Sequence, residues 1–411
     1  MTTKQREAQL TVGTEYTCTI ERAAHGGEGI ALIEGCVVFL PNTYPGDTIR
    51  AKIEHVKKNF ARASVVEILT PSQHRVAQRC AAAAHGAGCC DYGDYDPAHE
   101  VELKSAILSG QLSRLGKLPD HPSIEVLEMP PHTKWRTRMR LGIDAAGRAG
   151  MRTAHAHTIV TGHPCSQAVD GLLDGIVGRD AQRFTPFAEL VVVLDDAGNR
   201  HVVEVQRAAR GKRSEKTLKV LEGSGTITQT VGGYRFELPA TAFWQAHVQA
   251  IPTYSEIIRQ WAARVTSAHT TPVAWDLYGG VGAFAPALID ALGQDAKIHS
   301  VELSAQAAKA GKKVFQQAVV FHTGKVEDIV ATLPTPDVVV LDPPRVGAGH
   351  KVVQAIAAAA PRMIIHIGCD PATFSRDIRS FAEAGYTLTE IKLCNAFPGT
   401  HHFETIGLLL R

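Results

Sequence analysis

The chain has 411 residues, 45% of them hydrophobic and 20% charged, a balance that excludes a disordered tail, a collagen-like fibre and a coiled coil. At about 150 residues per domain, the length implies two or three domains. Lys+Arg number 43 and Asp+Glu 41, so the net charge of +2 neither demands nor excludes a nucleic-acid partner.

Residues 9–69 hold runs rich in Val, Ile and Thr: "EYTCTIERAA", "GIALIEGCVVFLP" and "DTIRAKIEHVKKNFARASVVEIL". The segments "HGGEG" and "PNTYPGD" break them with turn chemistry, and about sixty residues of such strands predict a small barrel. Residues 71–80 form a polar linker that ends on the first of a group of cysteines. A helix is predicted over 98–117, where Val101, Ile107, Leu108, Leu112 and Leu115 fall near helical spacing. Strands separated by glycine and charge clusters resume over 134–242. From 262 onward, apolar runs of strand length ("VAWDLY", "KIHSVEL", "DVVVLD", "RMIIHIG") alternate with helical stretches ("SAQAAKAGKKVFQQA", "KVVQAIAAAA"), and "HFETIGLLL" reads as a final strand. This alternation predicts a parallel, doubly wound sheet with helices on both faces. Three units are therefore expected: 9–69, 71–261 and 262–411.

The polar start, MTTKQREAQL, has no apolar stretch behind it, and no apolar run reaches the roughly 18 residues that would cross a bilayer. A cytoplasmic protein with no membrane partner is expected, and no obligate protein partner is evident. Eight cysteines without a secretion signal read as thiols, metal ligands or nucleophiles rather than disulfides.

The loop "WDLYGGVGAF" follows the first strand of the αβ region. Gly279, Gly280 and Gly282 let backbone approach a ligand without interference from Cβ. Glu302 ends the next strand, where a carboxylate can accept hydrogen bonds from both ribose hydroxyls of an adenosine-type cofactor. The G-x-G-x-x-G fingerprint of NAD sites is absent, and Asp276-x-x-Gly-Gly-x-Gly instead resembles the first motif of class I methyltransferases. Further on, "VVVLDPPRVGAG" places Asp342 at the carboxyl end of a strand, where open αβ sheets bind ligands. Then "MIIHIGCDPATFSRDI" puts Cys369 after another strand, with Asp370 as helix N-cap and Pro371 as first helical residue. The partial positive charge of that helix end favours a thiolate, and the charge of Asp370 opposes it. An isolated cysteine at a strand end is more often an inert, buried small hydrophobe.

Taken in order, "DPPRVGAG", "HIGCDPAT" and "FPGTHHFE" resemble the RNA 5-methyluridine (uracil-C5) methyltransferases, and the likeness extends over nearly the whole chain. It implies three parts: an OB-like TRAM barrel that binds RNA at 9–69, a central mixed α+β iron–sulfur domain at 71–261, and a Rossmann-like class I methyltransferase domain at 262–411. By position Cys369 matches the family nucleophile and Glu404 the proton-abstracting base. Gln245 in "FWQAH", Tyr278, Gly280, Gly282, Glu302 and Asp342 match the S-adenosylmethionine site. Several residues depart from the usual pattern: Gly368-Cys369-Asp370 stands where Ser-Cys-Asn is common, Gly399 replaces a polar residue, Asn395 replaces an Asp, and Ala283 an Asn.

The chemistry needs both groups. C5 of uracil is a poor nucleophile, and a thiolate adding to C6 makes C5 carbanion-like. Once methylated, C5 must lose its proton so that the thiolate can leave, which requires a base. His401 and His402 stand beside Glu404 as rival bases or as polar support for the loop. The target base must be unstacked to react.

Cys80, Cys89 and Cys90 lie within eleven residues, with Cys165 far downstream. Such a group suggests metal or iron–sulfur ligation. Many members of the resembled family carry a [4Fe–4S] cluster here with C-x5-C-x2-C spacing, whereas this chain has C-x8-C-C. These four cysteines are the expected ligands of a [4Fe–4S] cluster, with a four-thiolate zinc site or a lost site as alternatives. Finally, "KWRTRMRLG" places Lys134, Arg136, Arg138 and Arg140 on one face of a strand, with Trp135, Met139 and Leu141 opposite. Together with "RAARGKRSEKTLK" (207–219) and "KKNFAR" (57–62), this points to the phosphates of a structured RNA, ribosomal or transfer. Two rivals are an S-adenosylmethionine enzyme acting on a nitrogen of RNA or protein, and a non-catalytic RNA-binding module.

Overall fold

The computed structural model describes residues 10–154, 156, 158–206, 217–266 and 271–411. The first unit is a rolled sheet of β1 (Glu15–Thr19), β2 (Arg22–Ala23), β3 (Glu28–Ile33), β4 (Cys36–Pro41), β5 (Thr48–Val56) and β6 (Ala61–Thr70), in the order β1-β5-β6-β4-β3-β2. Alternate residues of β5 (Ile49, Ala51, Ile53) face its core with Val38, Leu40 and Ala61, and their neighbours face solvent. Cys18 packs in this core.

A second unit follows α1 (Ala81–Ala84) and α2 (Pro97–Arg114). After α2 come β7 (Ile124–Leu127), then β8 (Arg138–Ile143), β9 (Ala149–Arg152), β10 (Ile159–Thr161), β11 (Glu189–Leu194), β12 (Arg200–Gln206) and β13 (Thr217–Glu222). The last six form one antiparallel sheet in the order β10-β9-β8-β11-β12-β13. The hairpin β14 (Thr226–Val231) and β15 (Tyr234–Pro239) precedes α3 (Ala250–Ala262). Of the basic stretch 207–219, residues 207–216 lie outside the described residues.

The αβ region then runs β16 (Val273–Leu277), α4 (Ala285–Leu292), β17 (Lys297–Glu302), α5 (Ala305–Phe315), β18 (Val319–Thr323), α6 (Val326–Ile329), β19 (Val338–Leu341), α7 (Gly349–Ala359), β20 (Met363–Gly368), α8 (Pro371–Glu383), β21 (Thr387–Cys394) and β22 (Glu404–Leu410). Its described strands join in the order β18-β17-β16-β19-β20-β22-β21-β7. The first five are parallel, and β22 runs antiparallel between β20 and β21. Strand β7 comes from the segment before 262 and extends the sheet beside β21, and Lys392 ties the two strands to each other by an ion pair with Glu125 at 2.5 Å.

Both faces of this sheet are covered, which is why its strands read as unbroken apolar runs. Ala274, Val338, Val340 and Ile365 face one core with Tyr254, Ile258 and Trp261 of α3 and Leu288 of α4. Trp275, Leu277, Val339 and Leu341 face the other, with Ile107, Leu108 and Leu112 of α2, Val353 of α7 and Phe374, Ile378 and Phe381 of α8. Among the described residues no helix is long and apolar enough to cross a membrane.

Candidate active site

The carboxyl ends of the parallel strands share one edge of the sheet, and the candidate residues collect there. Tyr278 to Gly282 follow β16, Glu302 ends β17, Asp342 follows β19 and Cys369 follows β20. Glu404 begins β22, and because that strand is antiparallel to β20 it starts at the same edge. Gly368 pairs with Thr405. One step further along this register, Cys369 and Glu404 stand opposite each other.

Local chemistry explains the turns. Gly279 must lack a side chain: a Cβ there would lie 2.3 Å from Asp276 Oδ2 and 2.4 Å from Ser300 Oγ. Gly280 has φ +60° and Gly282 φ +82°, both left-handed, and a Cβ on Gly280 would meet no atom within 4 Å. Tyr278, at φ +61°, is a non-glycine residue in the same region, the kind of strain that clusters at functional sites. Glu302 fastens the loop: its Oε2 accepts from the Gly280 amide at 3.0 Å and its Oε1 from the Ser304 amide at 2.6 Å. A carboxylate offers about four acceptor positions, so it keeps capacity for hydroxyl donors.

Gln245 precedes α3, and its Nε2 donates to Asp342 Oδ2 at 3.4 Å. Burial, with Asp276 adding like charge, pushes Asp342 up to about 7. Burial likewise raises Asp276 to about 7, against a hydrogen bond from Ser300 and aided by Glu302. These residues fit an adenosine sulfonium ligand: open backbone at Gly280, a ribose-type carboxylate at Glu302, and an anion at Asp342 that a cation would ionise.

Cys369 is half-buried. Asp370 caps α8, its Oδ1 accepting from the amides of Ala372 at 3.0 Å and Thr373 at 2.8 Å, and Pro371 follows as expected. The electrostatic expectation is corrected. Burial, then Glu404, Asp342 and Asp370, push the Cys369 thiol up to about 12, and the Arg345 guanidinium only partly offsets them. The helix end by itself does not make a resting thiolate. Glu404 is buried and raised well above the usual carboxylate range by that burial and by Asp342, and its Oε2 has no hydrogen-bond partner among the described residues. His401 is bonded to Asp91, and burial holds His402 down at about 3. That suits loop support better than base chemistry.

The departures at 368, 395 and 399 have local causes. A Cβ on Gly368 would lie 2.9 Å from the Phe374 ring. Gly399 has φ +77°, and its amide donates to both oxygens of Glu100 on α2, at 3.0 and 2.9 Å. Lys104, fully buried one turn on, donates to Glu100 at 2.6 Å and Asn395 Oδ1 at 2.7 Å. This ion pair braces the loop that leads to Glu404. Sequence patterning missed it, because Glu100 and Lys104 look like ordinary polar positions of an amphipathic helix. It also missed Arg345, which stood in a quoted motif without a role, and Tyr254. The buried Tyr254 hydroxyl has no partner among the described residues, and its titration responds to burial and to Glu404.

Cys80, Cys89, Cys90 and Cys165 are all buried, and their sulfur atoms lie within 4.8 Å of one another. Cys80–Cys89 and Cys80–Cys165 are 3.9 Å apart and Cys90–Cys165 3.7 Å. Four thiolates on one tetrahedral ion with bonds of about 2.3 Å are about 3.8 Å apart, so the residues fit a single four-thiolate ion as they stand. A larger cluster would require them to spread. Hydrogen bonds from Cys165, Cys89 and Cys90 lower Cys80, while the same network and burial raise Cys89 and Cys90. Ionising all four together needs a cation among them.

The basic strip is also corrected. The strand begins at Arg138, and all four cations already have partners. Lys134 pairs with Asp170 at 2.8 Å, Arg136 donates to Gln167 and Arg138 to the carbonyls of Ala240 and Ala242, while Arg140 pairs with Glu189 at 2.9 Å. Lys134 and Arg140 are neutralised within the protein, while burial and the neighbouring Arg140 still hold Arg138 down at about 10. Trp135, Met139 and Leu141 are buried, as predicted.

Residues 9–66 match the family model described as TRAM domain, and residues 317–411 the one described as tRNA (Uracil-5-)-methyltransferase. An uncharacterized RNA methyltransferase of Corynebacterium diphtheriae is 50% identical over 408 residues, covering 97% of each chain. Another, from Streptomyces coelicolor, is 31% identical over 431 residues, covering 97% of this chain and 93% of the relative. The solved structure of a Pyrococcus abyssi tRNA (uracil-54, C5)-methyltransferase with S-adenosyl-L-homocysteine shares the fold at 18% identity and a TM-score of 0.70, covering 96% of this chain and all of that one. A TRAM barrel, a methyltransferase sheet and relatives of half-identical sequence along almost the whole length place the chain in the family of S-adenosylmethionine-dependent RNA (uracil-5-)-methyltransferases.

Proposed function

We propose that this enzyme methylates C5 of one specific uridine in a structured RNA, ribosomal or transfer, through a covalent bond between Cys369 and C6 of the uracil. The observation that carries this reading is the β20–β22 register, which ends on Gly368 opposite Thr405 and so brings the next residues, Cys369 and Glu404, to the same edge, where the charge of Asp342 acts on both. Gln245, Tyr278, Gly280, Gly282, Glu302 and Asp342 would hold S-adenosylmethionine, which when bound supplies an electrophilic methyl group. Cys369, its thiol proton released to solvent, adds to C6; C5 then gains the methyl group, ionised Glu404 takes the C5 proton, and the C6–S bond breaks to return the thiolate. Burial and Asp342 raise the proton affinity of Glu404, so its ionised form is a strong acceptor for that proton, and Arg345 is the cation that favours that form. Burial also shields the intermediate from water. The thiol has to be activated when the site fills, and Arg345 is the cation that favours its ionised form.

The four central cysteines are proposed to hold a structural metal centre. The family resemblance points to [4Fe–4S], and the sulfur separations favour a single ion such as zinc. Elemental analysis of anaerobically purified protein decides between them. For the main reading, 5-methyluridine should be mapped by mass spectrometry in total RNA from cells with and without the protein. One uridine should lose its methyl group when the protein is absent; an unchanged map overturns the reading.

A further inference from the structure

We propose that His25, on the N-terminal barrel, is a positioning residue for the nucleophile: it engages Asp370, the N-cap of the helix that follows Cys369, and so weakens that carboxylate's opposition to thiolate formation. The proposal rests on the reading of Cys369 as nucleophile.

His25 Nε2 donates to Asp370 Oδ2 at 2.7 Å, joining residues 345 apart in sequence. The two oxygens of Asp370 divide the work. Oδ1 takes two amides of α8, and Oδ2 takes the barrel. Both side chains are about three-quarters covered, at 24% and 23% exposure, so the bond is only partly screened by solvent. The His25 loop is tightly seated, since a Cβ on Gly27 would lie 2.8 Å from Asp91 Oδ2. The remaining nitrogen, His25 Nδ1, is buried without a partner among the described residues, so Asp370 is the group that orients the ring. Other charged or titratable groups nearby are His401, whose ring centre is 6.2 Å from that of His25, with Asp91 and His402 on the same side. Around Cys369 stand Arg345, Asp342 and Glu404.

A carboxylate immediately after the nucleophile is a like charge working against its ionisation. Burial favours a neutral Asp370, yet His25 and the α8 amides hold it well below the usual carboxylate range, so it is charged throughout the working pH. Pairing with an imidazole is the available way to blunt that charge without giving up the helix cap. It also makes nucleophile readiness depend on how the RNA-binding barrel is docked.

The test uses the full-length protein and the rate at which iodoacetamide alkylates Cys369, followed on the peptide that carries it, as a function of pH. Wild type, His25→Ala, Asp370→Asn and the double variant are compared. Asp370→Asn keeps the capping oxygen and removes the charge. His25→Ala should slow alkylation about tenfold at fixed pH below the midpoint, about the effect of one pKa unit, and move the midpoint to higher pH. It should lower kcat with little change in KM for S-adenosylmethionine. In the Asp370→Asn background, removing His25 should have almost no further effect on alkylation. An unmoved profile in His25→Ala, or the same slowing in both backgrounds, overturns the proposal, the second by assigning the loss to damage of the barrel. Cys369→Ala, assayed alongside for methyl transfer, tests the nucleophile separately: activity in that variant overturns the underlying reading and leaves the alkylation result to be judged by itself.

Discussion

The side-chain amide of Gln245 donates to Asp342 at 3.4 Å, joining the segment before α3 to the end of β19. The acceptor is a carboxyl raised to about 7, first by burial and then by Asp276, so in the folded protein it carries a proton over much of the range in which an unfolded chain has lost it. Between about pH 4, the ordinary aspartate value, and pH 7, the folded state holds more protons than the unfolded state. Stability therefore falls as pH rises through that window. Asp342→Asn should gain thermal stability relative to wild type from pH 4 to pH 8 in differential scanning calorimetry. Calorimetric binding should show affinity for S-adenosylmethionine, a sulfonium cation, rising through pH 7 more steeply than affinity for uncharged-sulfur S-adenosylhomocysteine. Parallel slopes would remove Asp342 from the sulfonium site.

Two neighbouring glycines should fail differently. Gly279→Ala drives a Cβ against the buried Asp276 and Ser300, a clash expected to lower stability by about 1–3 kcal/mol. Gly280→Ala meets open space at φ +60°, so it should lower stability by only about 1–2 kcal/mol while weakening cofactor binding disproportionately. Thermal melts with and without cofactor separate the two outcomes.

Cys369→Ala should lower methyl transfer by about a thousandfold or more while leaving cofactor affinity nearly unchanged. Glu404→Gln should block proton removal after methylation, so a protein–RNA adduct should persist on a denaturing gel. Normal turnover by Glu404→Gln would show that the base is another group.

If the proposed metal centre is present, serine at Cys80 or Cys165 should abolish metal binding and lower the melting temperature together, because four buried thiolates cannot be held without a cation. Inductively coupled plasma measurement gives the metal content. Brown protein rich in iron would indicate the cluster, and colourless protein with one zinc per chain the single ion.

Strands β16, β17, β19, β20 and β22 were legible because their apolar runs are covered on both faces. Strand β7 was not, since its four residues gain their place only from pairing with β21. Cys369 and Glu404 were found through motif resemblance; their register was not visible, because β22 inserts between β20 and β21 out of chain order. The basic strip misled for a related reason. Period-two spacing says which side chains share a face, but not that Asp170, Glu189 and the Ala240 and Ala242 carbonyls wait there. His25 read as part of a turn, and its bond to Asp370 exists only once barrel and methyltransferase unit meet.

The most direct test of the central claim is to incubate the enzyme and S-adenosylmethionine with substrate RNA containing 5-fluorouridine, whose C5 carries no proton to remove. Protease digestion and mass spectrometry should find a methylated fluorouridine nucleotide bonded to the peptide containing Cys369. An adduct on any other residue, or methylated RNA released with no adduct formed, would contradict the account.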